Sequence, residues 1–371
     1  MRQNGIVTLF GSTAEMLAEW GGHYVSGLPQ TVKLEKELGK IHGMPTLVTT
    51  RGMTAITAAV FAFLPARVIL SNECYPGTML QFREWKGADV IPSLSLFDPD
   101  DLDGLENQLS DPLSESSEFA IVFVESIGNS RLMKVANVPA IIALCKKYGA
   151  MLVVDTTFTP LAVFEPDSSL IVVGSLTKYE QPDDEAMGGR ISSAAEIIAK
   201  IRATRAYGNV AMLPSVAAYY LLQAIGGFDR RFLDHSDNAF LLSSEKIRSH
   251  SAVKAVHYPG SLDHPGYSII QRDFSCLAGG VLYLEFKGGD EAARLFCDKL
   301  VQGSENWSLA VSFGSSDWRI CPIVDFLTGY FDYRPGLVRI ATGRINSRKA
   351  ISEFIKALDW VITAVSERQE A

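Results

Sequence analysis

A carboxylate and an amine each follow an apolar segment of the sequence that is rich in β-branched residues. Asp155 comes directly after residues 151–154, and Lys178 comes a few residues after residues 170–173. If both segments are buried parallel strands, their carboxyl ends meet at one edge of a sheet, which is where ligands bind in such folds. We therefore expect both side chains at the same edge. A plain salt bridge between them is the alternative that the two residues leave open.

Glycine and hydroxyl residues near these two positions could form an anion site. Gly52 opens an apolar helical segment, and the backbone N–H groups at a helix N-terminus can bind a phosphate. Ser175 and Thr177 add two hydroxyl groups just before Lys178. Together these residues predict a phosphate site beside Lys178, although Gly52 alone is better explained by an ordinary helix start.

The elements that must position these residues alternate between strand and helix. Four apolar segments have the composition of buried strands: 68–70, 120–124, 151–154 and 170–173. Residues 138–147 have apolar positions at helical spacing and a basic end before Gly149. Such alternation predicts an α/β fold with a mostly parallel sheet that is covered by helices on both faces.

The second part of the chain has a different pattern. Residues 215–249 are largely helical in pattern, and strands at 279–286 and 337–341 alternate with helices at 290–300 and 347–365. This order predicts a smaller α+β domain. We expect three units: an N-terminal segment (1–45), a large domain (46–225) and a C-terminal domain (226–371).

Composition excludes several classes of protein. Of the 371 residues, 47% are hydrophobic and 20% charged, which is a globular composition and excludes a disordered chain. A net charge of −8 argues against sequence-independent binding of nucleic acids. Five cysteines without a C-x-x-C pair predict neither a disulfide framework nor a metal site. No signal peptide is visible, and the longest apolar stretch, 55–70, is shorter than the ~20 residues of a membrane span, so we expect a cytoplasmic protein.

Six short motifs occur in order along nearly the whole chain. They are Gly52-Met53-Thr54-Ala55-Ile56, Tyr75-Pro76-Gly77-Thr78, residues 153–160 around Asp155, Ser175-Leu176-Thr177-Lys178-Tyr179 with the later Gly188-Gly189, Ser312-Phe313-Gly314, and residues 336–343 around Arg339. Each resembles a motif of the cystathionine γ-synthase-like family of pyridoxal 5′-phosphate (PLP) enzymes, the Cys/Met-metabolism or transsulfuration group. The resemblance implies fold type I, with a large PLP-binding α/β domain and a smaller C-terminal α+β domain.

The resemblance also implies roles at the cofactor. Lys178 is expected to form the Schiff base with PLP and to move protons once a substrate amine has displaced it. Asp155 is expected to pair with the pyridine nitrogen. Tyr75 is expected to stack on the ring and to act as a second acid or base.

Further residues are expected to bind the cofactor or the substrate. Those implied at the cofactor are Gly52, Met53, Ser175 and Thr177 at the phosphate, Asn129 near O3′, and Thr157. Arg339 is expected to bind the substrate carboxylate with its planar guanidinium, and Ser312 is expected to lie beside it.

The reaction that the resemblance implies acts on an amino acid. It begins with an external aldimine and loss of the Cα proton, followed by elimination or replacement at Cγ. Elimination at Cβ, aminotransfer or aldol-type chemistry on the same scaffold, and a non-catalytic scaffold protein are the alternatives. Sites of this family form between subunits, so a homodimer or homotetramer is expected, with the N-terminal segment 1–45 contributing to the subunit interface.

Some positions depart from the family pattern. Val25 falls near the place of an arginine that reaches the neighbouring subunit's phosphate, and Arg51 replaces the serine before Gly52. We expect Arg51 to supply the missing positive charge. Thr156 replaces an asparagine after Asp155, and residues 179–185 are unusually acidic. This pattern indicates a specialised branch of the family.

Overall fold

The structure is a computed structural model that describes residues 29–111, 119–183, 185–204, 211–326 and 334–370. Most of the expected N-terminal segment, including Val25, lies outside the described residues. The described part of that segment is helix α1 (Pro29–His42), which packs against the first strand through apolar side chains such as Leu34 and Leu38.

A seven-stranded sheet forms the larger half of the fold. Its strands are β1 (Thr46–Thr49), β2 (Arg67–Ser71), β3 (Ser93–Phe97), β4 (Ala120–Glu125), β5 (Met151–Asp155), β6 (Leu170–Ser175) and β7 (Gly189–Ser193). Their order is β1-β7-β6-β5-β4-β2-β3. The pairs from β6 to β3 are parallel, and β7 pairs antiparallel with both β6 and β1. The predicted mostly parallel sheet is confirmed.

Helices cover this sheet, and its side chains alternate between two hydrophobic cores. The helices are α2 (Gly52–Phe61), α3 (Pro76–Gly87), α4 (Leu102–Ser110), α5 (Val138–Lys147) and α6 (Ala195–Ala203). On β4, Ile121 and Phe123 pack into one core, whereas Val122 and Val124 pack into the other. This alternation follows from the pleat of a strand, and burial on both faces explains why the strand sequences are continuously apolar.

The second half carries a five-stranded sheet. Its strands are β8 (Val253–His257), β9 (Val281–Phe286), β10 (Trp307–Leu309), β11 (Trp318–Pro322) and β12 (Leu337–Ala341), in the order β10-β11-β12-β9-β8. The helices that follow α6 among the described residues are α7 (Ser215–Ala224), α8 (Phe228–Leu242), α9 (Glu245–Arg248), α10 (Tyr267–Asp273), α11 (Gly289–Gly303), α12 (Ile323–Phe326) and α13 (Ser347–Glu370). All five strands lie inside the expected C-terminal domain, whose bounds stay a prediction.

The segment 215–249 is largely helical, as its sequence pattern indicates. It forms α7, α8 and α9, and the chain turns between α7 and α8 at Gly226 and Gly227. Gly227 has a φ of +70°, a left-handed conformation that favours glycine and ends regular helix geometry. Within the described residues, no helix is both long and apolar enough to cross a membrane.

One core joins the two halves of the molecule. Val122 and Leu152 of the large sheet belong to the same continuous cluster of buried side chains as Leu282 and Ile340 of the small sheet. Because the two halves share this core, the carboxyl ends of β4, β5 and β6 keep one position relative to the small sheet.

Candidate active site

A cavity of about 430 Å³ lies at the carboxyl edge of the large sheet and is closed on one side by the small sheet. All twelve residues predicted from the sequence line it: Arg51, Gly52, Met53, Tyr75, Asn129, Asp155, Thr157, Ser175, Thr177, Lys178, Ser312 and Arg339. Seven further residues complete the wall: Pro76, Thr78, Glu125, Phe158, Met187, Val311 and Phe313. The structure thus brings the predicted residues together in one place, from seven separate regions of the chain.

Lys178 lies in the turn that follows β6. Its Nζ donates a hydrogen bond to Ser312 Oγ at 2.8 Å and lies 5.1 Å from the centre of the Phe313 ring. Ser312 and Phe313 belong to the loop between β10 and β11 of the small sheet. The amine is therefore held at the boundary between the two halves of the molecule.

Asp155 ends β5 and is the centre of a hydrogen-bond chain. Its Oδ1 accepts hydrogen bonds from Thr157 N at 2.8 Å and Thr157 Oγ1 at 2.5 Å. Thr157 Oγ1 in turn accepts a hydrogen bond from Ser175 N at 2.9 Å, which connects the ends of β5 and β6. Burial raises the pKa of Asp155, and the Thr157 hydrogen bonds and the charge of Arg190 oppose this rise.

The N-terminus of α2 forms a cradle next to the end of β6. Gly52 approaches β6 so closely that an added Cβ would lie 2.9 Å from Ser175 Cβ, which explains the glycine at this position. Arg51, the residue before the helix, has an extended backbone and makes no side-chain cap hydrogen bond. The first turn of α2 contains no acidic residue, so its N–H groups present positive potential to the cavity. Thr177 adds a hydroxyl group to the same cavity.

Tyr75 and Asn129 both line the cavity. Tyr75 is 48% exposed, and its backbone N donates to Glu125 Oε1 at 2.5 Å. Asn129 is buried, and its backbone N donates to Glu73 O at 2.8 Å. The buried Asn129 Oδ1 has no hydrogen-bond partner among the described residues, so this acceptor is directed at whatever the cavity binds.

Arg339 enters the cavity from β12 of the small sheet. It is buried, its Nη1 donates to the backbone oxygen of Val311, and its Cζ lies 5.4 Å from the centre of the Phe313 ring. The guanidinium is thus oriented by a carbonyl group and an aromatic face. A planar, charged donor held in this way suits a carboxylate.

Glu125 is the functional-site residue that the sequence analysis missed although a signal for it existed. It ends β4 and pairs in register with Asp155 on β5, so it satisfies the same strand-end rule. Burial and the charge of Asp155 raise the pKa of Glu125 well above its ordinary value. Met187 and Val311 carry no polar group, and no chemical signal in the sequence could have placed them here.

Comparisons with known proteins show the family of the chain. The family model described as Cys/Met metabolism PLP-dependent enzyme matches residues 21–320. A probable cystathionine γ-synthase 2 of Arabidopsis thaliana is 24% identical over 90% of this chain and 81% of its own. A canavanine γ-lyase of Pseudomonas canavaninivorans is 27% identical over 88% of this chain and 82% of its own. An L-methionine γ-lyase of Pseudomonas putida is 27% identical over 81% of this chain and 74% of its own.

Solved structures share the fold. A cystathionine γ-synthase from Xanthomonas oryzae pv. oryzae in complex with cystathionine superposes with a TM-score of 0.82 at 23% identity, over 92% of this chain and 88% of that one. A putative O-acetylhomoserine (thiol)-lyase from Campylobacter jejuni, which carries a pyridoxyl-lysine, has a TM-score of 0.79 at 23% identity over 91% and 87% of the two chains. Since the family model covers most of the sequence, the chain belongs to the Cys/Met metabolism family of PLP-dependent enzymes.

Proposed function

We propose that the protein catalyses elimination or replacement at Cγ of an amino acid. Lys178, Asp155 and Arg339 line one cavity beside the α2 cradle, and this arrangement is the main support for the proposal. An amine, a buried acid, an anion cradle and a carboxylate-binding guanidinium are the groups that this chemistry needs. The curated relatives include both γ-synthases and γ-lyases, which supports the choice of Cγ.

The residues of the cavity fit PLP. The α2 N-terminus with Arg51, Ser175 and Thr177 would hold the phosphate, and the unpartnered Oδ1 of Asn129 would face the ring substituents. Asp155 would hold the ring nitrogen. When bound, PLP supplies an aldehyde that reacts with amines and a ring that withdraws electrons from Cα.

Lys178 is the proposed base. Its Nζ would take the proton from the substrate Cα and return it during the later steps. The 2.8 Å hydrogen bond to Ser312 Oγ fixes the direction of the amine, and the Phe313 ring covers it from the side of the small sheet. Both contacts come from one loop, so the loop between β10 and β11 positions the base.

Tyr75 and Arg339 are the proposed substrate-facing groups. Arg339 would bind the α-carboxylate and thereby orient Cα toward Lys178. The Tyr75 hydroxyl would donate a proton to the leaving group. The hydrogen bond from the Tyr75 backbone to Glu125 keeps this residue at the cavity mouth, where a departing group leaves.

Product analysis tests the reaction type. The purified protein, loaded with PLP, is incubated with cystathionine, with methionine, and with an activated homoserine ester plus cysteine. Formation of an α-keto acid and ammonia indicates elimination, and formation of cystathionine indicates replacement. Conversion of the cofactor to pyridoxamine phosphate, or cleavage only at Cβ, would contradict the proposal.

The assembly state is part of the proposal. Three residues of the cavity wall, Tyr75, Met187 and Val311, are exposed apolar side chains at its mouth. A second copy of the chain would cover them and complete the site, so we propose a homodimer or a homotetramer built from it, located in the cytoplasm. Light scattering of the purified protein should give two or four times the 40.5 kDa mass of the chain, and a monomer would contradict this.

A further inference from the structure

A buried ion pair lies behind the site. Arg190 is on β7, and Glu180 comes two residues after Lys178. Their side chains are 0% and 1% exposed, and Arg190 Nε lies 3.9 Å from Glu180 Oε1. Neither residue lines the cavity, and neither has a role in the function proposed above.

The position of Arg190 is set by the sheet. It pairs in register with Gly174 on β6, and an added Cβ at Gly174 would lie 3.1 Å from Arg190 Cζ. The guanidinium therefore lies flat against the strand that leads to Lys178. Its Nη2 donates to Thr156 Oγ1 at 2.5 Å, and Thr156 is the residue next to Asp155.

The pair is poorly matched as a stabilising interaction. Within the described part of the chain, Arg190 Nε and Nη1 and both carboxyl oxygens of Glu180 have no hydrogen-bond partner. Burying two charges costs desolvation free energy, and their mutual attraction at this separation does not offset that cost. Replacing such a pair with apolar residues of similar size often makes a protein more stable. Stability therefore does not explain why these two charges are here.

We propose that Arg190 is a positioning residue that keeps Asp155 ionised for the cofactor ring nitrogen, with Glu180 as the counter-ion that balances it. The proposal rests on the role proposed for Asp155. Arg190 acts in two ways: it binds Thr156 next to Asp155, and it places a positive charge near a carboxylate that burial would otherwise neutralise. Thr156 and Glu180 both lie at positions where this sequence departs from the family pattern.

The electrostatics of the surrounding elements support this arrangement. The charge of Arg190 opposes the burial that raises the pKa of Asp155. Burial raises the pKa of Glu180 to about 7, opposed by the charges of Arg190 and of Arg231 on α8. Burial and Arg190 hold the pKa of His42 on α1 well below its ordinary value, so this ring is neutral. Glu180 is thus only partly ionised near neutral pH, and Arg190 retains charge to act on Asp155.

The test compares two cofactors in the purified protein. One is PLP, and the other is its deaza analogue, in which a C–H group replaces the ring nitrogen. We expect Arg190→Met to weaken the affinity for PLP about tenfold, because loss of the positive charge favours the neutral form of Asp155, and to leave the affinity for the deaza analogue unchanged or higher. Arg190→Lys, which keeps the charge, should restore most of the PLP affinity. An equal loss for both cofactors would show a merely structural role and overturn the proposal.

Two further variants keep the test decisive. If Arg190→Met alone fails to fold, the double variant Arg190→Met with Glu180→Gln removes both charges, and the same selective loss for PLP is expected. Asp155→Ala separates the inference from its basis. If Asp155→Ala selectively loses affinity for PLP but Arg190→Met and the double variant do not, the role proposed for Arg190 is contradicted and that of Asp155 is not. No selectivity in Asp155→Ala contradicts the proposed role of Asp155 and with it the inference.

Discussion

Lys178 Nζ and Ser312 Oγ lie 2.8 Å apart, although one residue follows a strand of the large sheet and the other belongs to a loop of the small sheet. Arg339 enters from the small sheet as well. The groups proposed to bind the cofactor therefore come mainly from one half of the molecule, and those proposed to orient the substrate come from the other. Cofactor binding and substrate binding should respond to different substitutions.

Arg339→Lys tests the proposed binding of the substrate carboxylate by Arg339. A lysine cannot reproduce the planar pair of donors, and the lost charge-assisted hydrogen bond costs roughly 1.5–3 kcal/mol. We expect KM for the amino acid to rise about 10- to 100-fold, which is that cost expressed as an equilibrium constant. The affinity for PLP, measured by absorbance titration, should not change. A parallel loss of PLP affinity would place Arg339 at the cofactor instead.

Tyr75→Phe and Tyr75→Ala separate two proposed roles of one side chain. Phenylalanine keeps the ring and removes only the hydroxyl, so kcat should fall by roughly 10²- to 10⁴-fold, as for loss of a general acid, while PLP affinity is kept. Alanine removes the ring too and should weaken PLP binding in addition. Full activity of Tyr75→Phe would mean that another group protonates the leaving group.

Arg51→Ala tests whether Arg51 supplies a positive charge to the cofactor phosphate at the α2 cradle. Loss of a charged donor to phosphate should weaken PLP binding by roughly 1.5–3 kcal/mol. The matched control is Arg83→Ala, an exposed arginine of α3 that does not line the cavity. Equilibrium dialysis measures both affinities. Identical retention of PLP by the two variants would show that Arg51 does not contact the phosphate.

Glu180→Gln should change the pH dependence of stability. The pKa of Glu180 rises from its ordinary 4.5 to about 7 in the folded protein. Between these pH values the folded state holds a proton that the unfolded state has released, so the contribution of Glu180 to stability falls as the pH rises. The free energy of unfolding of Glu180→Gln, relative to that of the wild type, should therefore increase from pH 4.5 to about 7 and level off above it.

Urea denaturation at a series of pH values measures this difference. Glu185→Gln is the matched control, since Glu185 is an exposed carboxyl five residues further along the same segment. Its stability should follow that of the wild type at every pH. Parallel curves for Glu180→Gln and the wild type would contradict the raised pKa.

The strands, and the position of Asp155 and Lys178 at one edge of the sheet, could be predicted from the sequence because both depend on local patterns. Burial on two faces makes β4, β5 and β6 continuously apolar, and the strand-end rule then places Asp155 and Lys178 at one edge. The predicted helix 138–147 matches α5. The helical pattern of residues 215–249 corresponds to α7, α8 and α9, and Gly227 lies between the first two of them.

Contacts between distant segments could not be predicted. The closeness of Arg190 to Thr156 depends on β7 pairing antiparallel with β6 in one register, and a shift by one residue would turn the side chain to the other face. The contact of Phe313 with Lys178 depends on how the two sheets pack. Neither relationship leaves a local pattern in the sequence.

Identification of the lysine that binds the cofactor tests the assignment of Lys178 and of the cavity around it. The purified protein is incubated with PLP, reduced with borohydride, digested and analysed by mass spectrometry, with Lys178→Ala alongside. We predict a phosphopyridoxyl group on the peptide that contains Lys178, together with an absorbance band near the edge of the visible range that reduction removes and the variant lacks. A label on another lysine, or no label with added PLP, would contradict the assignment of Lys178 and of the cavity around it.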